Sequence, residues 1–175
     1  VFLGDPGTGK TSTARILGVI LYNMGILKTA QVVEVSAVDL VAGYVGQTPE
    51  KTRKVVESAL DGILFIDEAY ALANDRPQDG FGKEAIDTLV KQIDLFGDRL
   101  VVVMAGYPDE MIRLMGSNPG LSSRFSKFIR FPDYTAVEME LILERLVERG
   151  GYRLPDEVAQ AAVDILVDAK NTSPR

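Results

Sequence analysis

The chain has 175 residues, 46% hydrophobic and 25% charged, enough to bury the core of one ordinary domain with room for a small appendage. Its net charge of −6 argues against a broad nucleic-acid or anionic-membrane footprint, and no apolar run reaches the roughly 18 residues of a membrane-spanning helix. With neither cysteine nor histidine, it offers no disulfide, no thiolate metal site and no general base other than a carboxylate, a composition that suits a reducing, cytoplasmic setting.

Residue 1 is Val rather than Met and lies inside an apparent strand, 1–4, while "NTSPR" follows a helix at the other end. The expectation is a piece of a longer protein. Straight after the strand comes "GDPGTGKT", which fits G-x-x-x-x-G-K-[ST] through Gly4, Gly9, Lys10 and Thr11. Glycines let backbone N–H groups turn inward around phosphates, Lys10 reaches the β- and γ-phosphates, and the Thr11 hydroxyl can ligate Mg²⁺. A helix over 10–24 would add its positive N-terminus to the same site. The nucleotide-cradling stretch is therefore Asp5, Pro6, Gly7, Thr8, Gly9, Lys10, Thr11 and Ser12.

Apolar runs then alternate with helical patterns, as in a parallel α/β sheet. Strands are expected at 31–36, 62–66, 99–105 and 127–131, and helices at 49–60, 82–96 and 108–115. "GILFIDEAY" delivers Asp67 to the carboxyl end of a buried strand, where it would hold Mg²⁺ through water. Glu68 follows, placed to orient and polarise an attacking water. That glutamate favours hydrolysis of ATP over a small-molecule kinase, and there is no N-K-x-D-type guanine-reading motif. Beyond "RFPDYT" come two amphipathic helices with no strand between them. They predict domains at 1–133, the nucleotide-binding core, and 134–175, a partial helical lid.

With "GDPGTGKT" and "FIDEAY" joined by "DLVAGYVGQTPEKTRKVVESA" (39–59) and "SNPGLSSRFSKFIRFPDY" (117–134), the chain resembles the AAA+ ATPases. The run "DEAYAL", "AGY", "SNPGL", "SRF" and "FPDY" is most similar to the CbbX/CfxQ group. That group includes red-type rubisco activases, stage V sporulation protein K and type VII secretion AAA ATPases. The resemblance implies an α/β fold: a P-loop NTPase three-layer sandwich with a parallel five-stranded sheet, followed by a small α-helical lid. It implies ATP and Mg²⁺ as ligands and a homo-oligomeric ring of six subunits acting on a protein client, with no nucleic-acid partner and no membrane insertion. Arg124 matches the finger that reaches a neighbour's γ-phosphate, and Lys10 and Glu68 complete the catalytic set. Tyr44, between Gly43 and Gly46, matches the aromatic that grips a threaded peptide, and 73–82 would form a second pore-facing loop. Two positions depart from the common pattern: Ser122 stands where many relatives carry another arginine, and Tyr107 where many place a sensor asparagine. A clamp-loader or helicase-loader type of ATPase, and a weakly hydrolysing ATP-gated scaffold, stay open as alternatives.

Overall fold

A computed structural model of the chain describes residues 1–44, 46–73, 80–153 and 155–172. Five parallel strands form its sheet: β1 (Phe2–Leu3), β2 (Val32–Ser36), β3 (Ile63–Asp67), β4 (Val101–Gly106) and β5 (Ile129–Arg130), in the order β2-β3-β4-β1-β5. Because β1 lies between β4 and β5, the chain must cross β4 and β3 to reach β2. That reversal opens a crevice at the carboxyl ends of β1, β3 and β4, where open α/β sheets bind their ligands.

The interior strands β3 and β4 are apolar on both faces because both of their faces are covered. Ile63 and Phe65 of β3 join Val103 and Ala105 of β4 and Phe2 beneath helix α1 (Lys10–Asn23), which contributes Ala14, Leu17 and Leu21. Leu64, Ile66 and Met104 point the other way, into a larger core. There they meet α2 (Ala37–Leu40), α3 (Thr48–Ser58), α4 (Phe81–Phe96), α5 (Pro108–Ser117) and α6 (Pro119–Arg124) through Leu40, Val56, Leu89, Leu114 and Leu121. The result is the expected three-layer α/β arrangement, with strand and helix ends no more than two residues from those expected.

Three short elements were not expected. Ser36 caps α2, its backbone N–H and hydroxyl both donating to Asp39 (2.8 and 2.7 Å). A single 3₁₀ turn covers Ala69–Leu72, and α6 is begun by Asn118, whose side-chain oxygen accepts from Gly120 N at 2.7 Å.

Backbone contacts divide the chain into two compact units, Val1–Pro132 and Asp133–Arg175. The second consists of α7 (Ala136–Arg149) and α8 (Asp156–Thr172). A capping box opens α7: Thr135 N donates to Glu138 Oε2 at 2.8 Å, and Glu138 N returns a bond to Thr135 Oγ1 at 3.3 Å.

Candidate active site

The loop from β1 into α1 is built on close approaches. Gly4 N donates to Gly106 O at 3.2 Å, which ties the loop's first residue to the end of β4. A Cβ on Gly4 would stand 2.6 Å from the Phe131 carbonyl oxygen, so no larger residue fits there. Gly7 and Gly9 take φ of 80° and 89°, in the left-handed region that favours glycine. Thr8 Oγ1 donates to Asp5 O at 2.7 Å, bracing the turn from inside. Lys10, only 8% exposed, folds back so that Nζ donates to Gly4 O and Asp5 O, each at 2.8 Å.

Asp67 ends β3, in register with Ser36 of β2. Glu68 then enters the left-handed region (φ 48°, ψ 38°), its N–H donating to Asp67 Oδ1 at 3.0 Å. A non-glycine residue held in that region is uncommon, and such strain gathers at functional sites. The turn begun by Glu68 carries Tyr70, whose ring lies 5.7 Å from that of Tyr107 at the end of β4.

These pieces meet around an open cavity of about 290 Å³. Gly4, Pro6, Gly7, Gly9, Lys10, Thr11 and Ser12 line one side, and Asp67, Glu68, Tyr70, Gly106 and Tyr107 the other. Asp5 and Thr8 shape the loop from behind and are not among the lining residues. The donor set suits Mg²⁺: one hydroxyl oxygen from Thr11 and one carboxylate from Asp67 are hard oxygen ligands. Among the described residues no group of three acids forms a cage, and Mg²⁺ characteristically completes its shell with water and substrate phosphates.

Tyr70 was given no role in the sequence, where it appears only within "DEAYAL", one of the stretches that carry the resemblance. Its position depends on the backbone of Glu68. Burial, and then the neighbouring negative charge of Glu68, raise its phenol above the ordinary tyrosine pKa.

Arg124 is not among the cavity's lining residues. It ends α6 with Nε donating to Asp94 Oδ1 of α4 at 2.7 Å and Nη2 bonded to Asp94 Oδ2. Nη1 donates to Gly120 O and to Ser123 Oγ, each at 3.0 Å. This pairing holds the Asp94 carboxyl below its usual range. Tyr44 stands 74% exposed, away from the cavity. The stem before it is gripped by α3: Thr52 Oγ1 donates to Leu40 O at 2.9 Å, Lys51 Nζ to Val38 O and Val41 O at 2.8 and 2.7 Å, and Ala42 N to Thr48 Oγ1 at 3.1 Å. Most of the expected second loop, 74–79, lies outside the described residues. No helix among the described residues is long and apolar enough to cross a membrane.

A family model described as the ATPase family associated with various cellular activities (AAA) matches residues 1–133. Stage V sporulation protein K of Bacillus subtilis (strain 168) is 42% identical over 173 residues, 99% of this chain and 53% of that protein. The chloroplastic ribulose bisphosphate carboxylase/oxygenase activase of Cyanidioschyzon merolae is 42% identical over 156 residues, 89% of this chain and 53% of the activase. The ESX-3 secretion system protein EccA3 of Mycolicibacterium smegmatis is 46% identical over 149 residues, 85% of this chain and 24% of EccA3. The chain thus spans about half the length of the first two and about a quarter of the third. A crystal structure of the FIGL-1 AAA domain in complex with ADP has the same fold: TM-score 0.62 over 93% of this chain and 52% of that one, at 19% identity.

Proposed function

The chain belongs to the ATPase family associated with various cellular activities (AAA), and from that premise we propose that it hydrolyses ATP in this cavity as one subunit of a cytoplasmic ring, of six copies, that remodels a protein client. The observation that carries the reading is the meeting of the Gly4–Ser12 loop with Asp67 and Glu68 around one opening.

Each residue has a task that follows from its chemistry. The left-handed Gly7 and Gly9 turn backbone N–H groups toward the phosphates, and the N-terminus of α1 adds its positive end. Lys10 exchanges the carbonyls of Gly4 and Asp5 for the β- and γ-phosphate oxygens. Thr11, and Asp67 through water, would hold Mg²⁺, which when bound neutralises phosphate charge. Glu68 orients a water and accepts its proton as the oxygen attacks the γ-phosphorus, with ADP leaving. Arg124, on the surface at the end of α6, enters a neighbour's site and stabilises charge on the transferred phosphoryl group. The exposed Tyr44, on a stem anchored by α3, grips the client. The relatives named as a rubisco activase and a secretion system protein support a protein client.

The test is Glu68→Gln. It is expected to lower ATP turnover by about 10²-fold or more, the range of general-base catalysis, while ATP binding persists. An unchanged rate, or loss of binding together with turnover, would contradict the role given to Glu68.

A further inference from the structure

Glu68 needs something to aim it. Its backbone is left-handed and it lines an open cavity, where three nearby polar groups are committed elsewhere. Asp67 accepts the Glu68 N–H, Ser36 gives its hydroxyl to Asp39, and Lys10 is bound to the loop carbonyls. We propose that Tyr70 is a positioning residue for Glu68, its ring seated over Gly106 and against Tyr107 so that the phenol hydroxyl steers the carboxylate toward the attacking water. This rests on the hydrolytic reading of the cavity and names a residue which that reading does not require.

Three features of the geometry support it. Residues two apart do not share a face of a helix, yet Glu68 and Tyr70 line the same cavity. The left-handed backbone of Glu68 at the head of the 3₁₀ turn brings them round together. Next, the ring's seat is provided by an absence of side chain. A Cβ on Gly106 would stand 2.7 Å from Tyr70 Cδ1 and 2.9 Å from Met111 Sδ, so any larger residue at the end of β4 would push the ring off. Finally, the Tyr107 ring packs against it at a tilt, with centroids 5.7 Å apart and planes at 49°, and adds a second contact that holds the ring. A ring held by a glycine seat and a tilted aromatic partner has little rotamer freedom, which is what a positioning group needs. The raised phenol pKa, with Glu68 among its causes, agrees with a hydroxyl that stays protonated beside a carboxylate.

The experiment has two readouts. Tyr70→Phe keeps the ring and removes the hydroxyl. It is expected to lower kcat for ATP roughly 10-fold with KM within about two-fold, the signature of lost alignment rather than lost binding. Independently of turnover, the chain labelled with ¹³Cζ-tyrosine is recorded without nucleotide. The resonance lost in Tyr70→Phe is expected to move when Glu68 is replaced by glutamine. A Tyr70 resonance indifferent to Glu68→Gln, or a Tyr70→Phe chain with parental kcat beside an active parent, overturns the assignment of Tyr70 alone. A parent chain without ATPase activity overturns the hydrolytic reading itself.

Discussion

Replacing Lys10 by methionine is expected to weaken the empty protein as well as its hold on ATP. The side chain is 8% exposed, and its ammonium donates to Gly4 O and Asp5 O at 2.8 Å each. Hydrogen bonds to charged groups contribute roughly 1.5–3 kcal/mol apiece, so a simple sum would be about 3–6 kcal/mol. The two carbonyls are not equal, however. Asp5 O keeps the Thr8 hydroxyl at 2.7 Å, whereas the carbonyl of the buried Gly4 loses the ammonium outright. The Met side chain replaces most of the apolar stem, so packing changes little. The net loss is therefore placed at about 2–3 kcal/mol, or roughly 4–12 °C in melting temperature for a chain of this size. Urea denaturation of the nucleotide-free chain followed by far-ultraviolet circular dichroism measures it. A Lys10→Met chain within about 0.5 kcal/mol of the parent would refute the internal brace, even if ATP binding were abolished.

Two further outcomes follow from the same geometry. Gly18, in the middle of α1, would on propensity alone gain about 1 kcal/mol as alanine, but its Cβ would stand 2.9 Å from the Ala30 carbonyl oxygen and 3.1 Å from Val32 Cγ2. Since crowding a packed contact costs roughly 1–3 kcal/mol, Gly18→Ala is expected to lose about 1 kcal/mol in chemical denaturation, and a stabilised variant would contradict the close packing of α1 on β2. Asp61, held by Arg99 and Lys28, has its carboxyl lowered to about 2 in the folded chain. A lowered folded pKa gives stability that is present above the unfolded value of about 3.9 and is lost as pH falls toward 2. Asp61→Asn should therefore flatten the acid limb of the stability profile between about pH 4 and 2, and identical limbs in both proteins would count against the ion pair.

Much of the frame could be read from residue patterns. "GILFI" is apolar on both faces because β3 is an interior strand covered on both sides, and the glycine spacing of "GDPGTGKT" is a conformational requirement of a loop that must turn its N–H groups inward. The short elements were hidden for identifiable reasons. Pro119, Gly120, Ser122 and Ser123 are poor helix formers, so α6 exists only because Asn118 caps it and Leu121 and Arg124 are tied down by tertiary contacts. In the same way, α2 owes its single turn to the Ser36–Asp39 box rather than to propensity. Tyr70 and Gly106 were illegible because their relation depends on the positive φ of Glu68 and on a packing of Tyr70 against Gly106, 36 residues away, so close that a Cβ there would stand 2.7 Å from the ring. The bidentate pairing of Arg124 with Asp94, across 30 residues, was equally out of reach of local pattern.

The proposed ring requires that each active site be completed by Arg124 of a second copy of the chain. Mg²⁺-dependent ATPase activity per subunit, measured against protein concentration with and without added Arg124→Ala subunits, tests it directly. Specific activity that climbs with concentration and is poisoned by the variant is the predicted result. A flat rate indifferent to the variant would mean that each subunit works alone, contradicting the shared site.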